Sequence, residues 1–353
     1  MTKGTRTAFS IIVFGLLIVL LISCSGPVVV PGWSGVTFSG SVVYFAAPKG
    51  KIYAVDSTSG AQRWVYPASG DKSLGSLYGP PAVNNSTVYV GSSDHKLYAI
   101  DAATGMERWS YSTGGPIYGG VAVTDNAAYV GSNDKKVYAV NAGDGTMLWT
   151  FETQGGVWAT PVVTNERVYV GSLDHHLYCL DAQNGREIWR FQAGGAIPGP
   201  ATLVEGILYF GALDSKVYAL DAVTGVERWH FSAGHWVWGP PLVLGDTVYV
   251  SAMDNRVYAV NALTGEKRWD IGIEGYLRAS PVTGSDVLFV VTEQGTVYAL
   301  DPSSGQQRWS VATGAQVMSA PVCAEGALYI SSMKDMLFCL SVADGTQRWV
   351  FKP

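Results

Sequence analysis

The stretch Leu97-Tyr98-Ala99-Ile100-Asp101-Ala102-Ala103-Thr104-Gly105-Met106-Glu107-Arg108-Trp109 decides the fold, because seven other segments repeat its pattern. The closing residues are Trp64, Trp109, Trp149, Trp189, Trp229, Trp269, Trp309 and Trp349. The first interval is 45 residues and each later one is 40. Units of this length at a fixed period signal a repeat architecture, in which each copy buries its apolar face against its neighbours.

Within one copy the periodicity is that of strands. Residues 161–163, 168–171, 177–180 and 189–191 are short runs, rich in β-branched and aromatic side chains and separated by turn residues. Four strands per copy follow. The turn before the last strand begins in most copies with Asp (Asp56, Asp101, Asp181, Asp221, Asp301) or Asn (Asn141, Asn261), and has Gly four positions later, from Gly60 to Gly345. An Asx side chain bonds the turn backbone, and Gly accepts positive φ at its end. No long amphipathic helical pattern is present.

Eight such units can form an open solenoid or a closed ring. A ring protects the strand edges and lets each Trp wedge between adjacent blades, burying about 150–250 Å² per aromatic side chain. The sequence therefore predicts an all-β fold, an eight-bladed β-propeller of four-stranded antiparallel blades over residues 33–353. Closure has two solutions. Val28, Val29 and Val30 pair with the last strand at residues 349–352, or blades 1 and 8 simply pack.

Composition agrees with a turn-rich globular protein: 353 residues, 48% hydrophobic, 14% charged, with 42 Gly and 12 Trp. Lys3 and Arg6 precede the uncharged run from Ala8 to Ile22, which leads into Leu21-Ile22-Ser23-Cys24. Fifteen residues are short for a spanning helix, which needs about 20. The pattern reads as a lipoprotein signal peptide at 1–23, lipidation of Cys24 and a membrane-proximal linker at 24–32. The alternative is an uncleaved anchor helix. Both place the folded part outside the cytoplasm, on the outer membrane where there is one and otherwise on the outer face of the cytoplasmic membrane. Without residues 1–23 the chain has 21 basic and 28 acidic residues, a balance of −7 with no basic stripe, which excludes nucleic acid as a partner.

Cys179 and Cys339 occupy the place of Ala99 and Ala139, and Cys323 that of Val83, Val123 and Val163. They are expected to be small buried hydrophobes. A middle strand should hold Cys323 and Cys339 roughly 9–10 Å apart, beyond disulfide reach.

Subtracting aromatics with a structural place isolates a candidate site. Once closing Trp residues, strand Tyr and Phe, and the leader are removed, Trp33, Tyr78, Tyr118, Trp158, Trp236, Trp238 and Tyr276 remain. All precede the first strand of a blade. At one aligned position the copies read Trp33, Tyr78, Tyr118, Trp158, Pro198, Trp238, Arg278 and Met318. In a propeller these loops surround one mouth of the central channel. The same face carries the hairpins with Asp94, Asp134, Asp174, Asp214 and Asp254, and the five-residue excess between Pro67 and Leu77. Aromatics with a few charges on rigid loops suit recognition of a protein or peptide. The competing reading is that the rings plug the mouth and pack on one another.

No catalytic constellation emerges. His95, His175, His176, His230 and His235 lack a carboxylate or Cys at metal-ligand spacing, and are expected at the surface. The Asp-rich hairpins lack the dense oxygen-ligand run of a calcium loop. Neither a serine nucleophile elbow nor a phosphate-binding glycine loop is present. The residues assign no metal, no cofactor and no catalytic residue.

The segment Ala219-Leu220-Asp221-Ala222-Val223-Thr224-Gly225-Val226-Glu227-Arg228-Trp229 resembles the tryptophan-docking motif of the PQQ-like, or quinoprotein, propeller family. The resemblance runs over residues 33–353 and implies the same eight-bladed fold. It also implies an alternative function, a dehydrogenase binding pyrroloquinoline quinone with calcium over the channel. Enzymes of that family are longer and carry insertions, a catalytic Asp and usually a vicinal Cys pair. This chain has no Cys-Cys pair, so the docking motif transfers and the catalytic residues do not. Among relatives joining such a propeller to a lipobox, the chain resembles lipoproteins of outer-membrane barrel assembly. That implies a membrane-anchored scaffold holding a barrel-assembly component. A ligand sensor is a third reading.

Overall fold

The computed structural model describes residues 35–353 apart from Ser69, Lys72 and Ser285. The expected leader, Cys24, the linker, Val28 to Val30 and Trp33 lie outside the described residues. In blade 1, β1 (Val36–Ser39), β2 (Val42–Ala47), β3 (Lys51–Asp56) and β4 (Gln62–Tyr66) form one antiparallel sheet in chain order. Phe45 of β2 pairs with Val36 of β1 and Tyr53 of β3, and Tyr53 pairs in turn with Val65 of β4. Seven further sheets of the same order span 82–112, 122–152, 162–192, 202–232, 242–272, 282–312 and 322–351. Among the described residues there is no helix, so none long and apolar enough to cross a membrane. The eight-bladed propeller is the fold.

Burial explains the strand composition. In blade 3 every residue of Ala127–Ser132 is buried, because neighbouring blades cover both faces of a middle strand. In blade 2 the outer strand Glu107–Ser112 alternates exposed and half-buried positions, with one face in water. The first strands approach one another around the axis and form the channel wall.

Every seam seats a closing Trp on the turn Gly of the next blade, and most add a hydrogen bond from the indole. The Trp64 indole Nε1 donates to the Ala102 carbonyl of the next blade at 2.8 Å, and Trp149, Trp229 and Trp269 do the same to Ala182, Ala262 and Pro302. The acceptor follows the turn's Asx residue. Three residues later Gly105, at φ +74°, lies beneath Trp64, and a Cβ there would sit 2.8 Å from the indole. Gly is thus needed both for its backbone conformation and for the ring seated on it. Asp101 Oδ1 accepts the amides of Ala103 and Thr104, while Oδ2 pairs with Arg108 at 2.7 Å.

Among the described residues, blades 1 and 8 pack directly against one another. Trp349 Nε1 donates to the Ser57 carbonyl at 3.1 Å, Gly60 lies under Trp349, and Lys49 pairs with Asp335 at 2.8 Å. Blade 8 completes its four strands from its own segment. Cys323 pairs with Leu328 and Cys339 with Tyr329, so the middle strand of blade 8 lies between them, and Cys179, Cys323 and Cys339 are all free.

Candidate functional site at the channel mouth

The loop entering each blade turns a sequence alternation into a wall. Ile117, Val157, Ile197 and Val237 are fully buried and anchor their loops between blades. Each anchor presses on a Gly at or next to the end of the preceding blade's second strand. At Gly131 a Cβ would lie 2.2 Å from Val157. With the anchor fixed outward, the next residue projects toward the axis. Tyr78, Tyr118, Trp158, Pro198, Trp238, Arg278 and Met318 therefore line one cavity of about 530 Å³ at the channel mouth. Gly35, the first described residue, lines it as well.

The aromatic side chains form a connected arc. Tyr78 meets Tyr118 edge to face at 5.0 Å, Tyr118 meets Trp158 at 5.4 Å, and Trp158 reaches across Pro198 to Trp238 at 6.5 Å. The Arg278 guanidinium stands 5.0 Å above the Trp238 ring and pairs with Glu293 at 2.9 Å. Burial pushes the Tyr78 and Tyr118 hydroxyls above their ordinary value of 10, so both stay neutral. The arc is a π-rich, uncharged wall with one ion pair at its end. Packing among the rings is real, yet Tyr78, Tyr118, Trp158 and Trp238 keep part of their surface toward an open cavity.

Trp236 and Tyr276 do not join them. They stand two residues before Trp238 and Arg278, ahead of the buried anchors Val237 and Leu277, and are 42% and 53% exposed. These two stand in the loops that surround the mouth but are not among the residues that line its cavity.

The recurring hairpin Asp residues are structural. Asp94, Asp134, Asp174 and Asp214 accept the hydroxyls of Tyr98, Tyr138, Tyr178 and Tyr218 at 2.6, 2.5, 2.9 and 2.5 Å, and Asp254 accepts that of Tyr258. Burial and the adjacent carboxylate push the Tyr138 and Tyr258 hydroxyls up to about 12. Asp214 and Asp254 also accept the amides of Gly194 and Gly234, which ties each hairpin to the loop entering its blade. Of the histidines, His176 contacts Asp174, His230 pairs with Glu227 at 2.7 Å, and His235 accepts the Trp236 amide.

Two site residues escape the aligned-position argument, Asn133 and Glu293. Asn133 Oδ1 accepts the Trp158 indole at 2.8 Å. In blades 2 to 8 the hairpin position just before the recurring Asp, whose place is taken by Gln294 and Lys334 in the last two, reads Ser93, Asn133, Leu173, Leu213, Met253, Glu293 and Met333. Its longer polar members are the two that support Trp158 and Arg278.

Pyrroloquinoline quinone with calcium is a poor fit. The cofactor carries several carboxylates, whereas among the described residues Arg278 is the one Arg or Lys lining the cavity, and Glu293 already engages it. Among the described residues no three His, Cys, Asp or Glu side chains group to hold a metal ion.

A sequence family described as outer membrane protein assembly factor BamB matches residues 29–118, 112–198, 176–272 and 270–353. Similar solved structures include BamB from Moraxella catarrhalis, 23% identical with a TM-score of 0.76, covering 86% of this chain and 92% of that one. The computationally designed Ika8 protein is 17% identical, with a TM-score of 0.77 and coverages of 88% and 97%. The quinohemoprotein alcohol dehydrogenase ADHIIG from Pseudomonas putida HK5 is 16% identical, with a TM-score of 0.70 and coverages of 88% and 70%. These likenesses show the fold. No curated protein matches the chain by sequence.

Proposed function

The chain belongs to the family of the outer membrane protein assembly factor BamB, and from that membership we propose that it is a lipid-anchored, extracytoplasmic scaffold that holds a polypeptide partner in envelope protein assembly. The aromatic arc from Tyr78 to Trp238 carries the reading. Rings on loops fixed by buried anchors offer a large apolar contact area that loses little conformational entropy on binding. Neutral walls suit apolar or aromatic side chains of a partner and disfavour an anion. The partner is a barrel-assembly component or its client, and Cys24 carries the lipid.

In-cell cross-linking from the membrane, followed by identification of the captured proteins, tests this. Wild type should capture an envelope-assembly component, and Trp158→Ala with Trp238→Ala should reduce that capture at least tenfold while the propeller remains folded. Unchanged capture by the double variant would move the partner surface elsewhere.

A further inference from the structure

We infer that the mouth face of the propeller is the face turned toward the membrane, with Trp236 and Tyr276 seated at the level of the lipid headgroups. This rests on the lipid-anchor reading of Cys24, and two independent observations carry it.

The first is where the tether joins the folded body. The described chain begins at Gly35, on the wall of the mouth cavity. Gly35 lies eleven positions after Cys24, a reach of at most about 40 Å fully extended. For the opposite face to meet the bilayer, the tether would have to pass from the mouth over the rim and down the side of the propeller. Four strands at about 4.8 Å spacing put the outer strand about 15 Å beyond the inner one, and a six-residue strand is about 20 Å tall. That path consumes nearly the whole reach before the loops at either end are crossed. With the mouth face toward the lipid none of that reach goes into the detour.

The second is the chemistry of the rim. Trp236 and Tyr276 occupy equivalent positions in the loops entering blades 6 and 7, and both are well exposed. On the opposite face the exposed apolar side chains at the turns before the outer strands are aliphatic or thioether, among them Met106, Val226 and Leu263. Trp and Tyr are the residues that favour the membrane–water interface, where an apolar ring and a polar tip are both accommodated. The rim pair is thus on the face that the tether brings to the lipid. The acidic balance of the chain makes a zwitterionic surface the suitable partner, since an anionic one would repel it.

The test uses the full lipidated chain on phosphatidylcholine vesicles, compared with the same protein in detergent, read by amide hydrogen exchange. Exchange in residues 233–241 and 273–281 should slow at least threefold on vesicles, while residues 101–106, 221–226 and 261–266 stay unchanged. Trp236→Ala with Tyr276→Ala, both exposed and neutral for folding, should abolish the slowing without releasing the protein. Slowing on the second set of segments, or on neither, while the chain stays vesicle-bound, would overturn the orientation. Release of the wild-type chain from the vesicles would instead overturn the anchor reading, and the orientation with it.

Discussion

Trp349 of the last blade donates its indole N–H to the Ser57 carbonyl of the first at 3.1 Å, across the seam between blades 8 and 1. The Trp also rests on Gly60, so one side chain supplies both a hydrogen bond and a packing surface to the closure. Removing a fully buried aromatic ring costs about 3–5 kcal/mol, and Trp349 is partly buried, which puts its loss at the lower end of that range. Trp349→Ala should lower unfolding stability by that amount in urea titration, whereas Trp349→Phe, which keeps most of the ring, should lose markedly less. A loss below about 1 kcal/mol for the Ala variant would mean that other contacts close the ring.

Acid should loosen the outer turns in a defined window. Arg228, with the Thr224 amide and hydroxyl, holds the Asp221 carboxyl at about 2 against an ordinary 3.8. Asp101 and Asp301 are held low by their own partners, Arg108 on the first and Ser303 with Arg308 on the second. A carboxyl whose folded pKa is depressed adds stability above its unfolded value and loses it as pH falls through the folded one. The melting temperature should therefore drop between pH 4 and 2, modestly because these groups are exposed. Arg108→Gln with Arg228→Gln should flatten that drop, and equal pH slopes in both proteins would count against the assignment.

The three described cysteines should be inert while the protein is folded. Burial pushes the Cys179 and Cys339 thiols up to about 11 and raises that of Cys323. An aromatic disulfide reagent at pH 8 should label none of the three within an hour, and all three after guanidinium unfolding, as counted by intact mass. Fast labelling of any one in the folded protein would refute this.

The hairpin carboxylates should matter for stability and not for recognition. Asp214 accepts the Tyr218 hydroxyl at 2.5 Å and the Gly194 amide at 3.0 Å. Losing hydrogen bonds to a charged group costs about 1.5–3 kcal/mol. Asp214→Ala should fall by that much in denaturant titration and still capture the same cross-linked partners. A stable variant with altered capture would make this Asp a binding residue.

The fold was legible because its signals repeat. Eight Trp residues in register, and Asp or Asn before most of the recurring Gly positions, state the blade, its seam and its period at once. Even so, the sequence supplied only the turn role of Gly105, since the indole lying on it comes from another blade. At the site, alignment of the copies placed Tyr78, Tyr118, Trp158, Trp238 and Arg278 together, and the cavity holds them so. Trp236 and Tyr276 fall outside that aligned position, and that they stand apart from the cavity wall was hidden because a loop, unlike a strand, has no fixed alternation until its anchor is known. Glu293 and Asn133 were hidden for a related reason: they reach the arc from a different loop, and single positions with varied residues carry no periodic signal.

A mouth built from eight blades would, with identical residues at each entry, offer a bound segment eight equivalent rotational registers. Tyr78, Tyr118, Trp158 and Trp238 fill one sector, while Arg278 and Met318 follow on the other. The scaffold is symmetric and its contents are not. Selecting one register of eight forfeits about 1.2 kcal/mol of orientational freedom, a small sum beside what one well-seated ring returns. The repeat therefore serves the protein twice, first as a rigid frame and then as a dial on which a partner has a single reading.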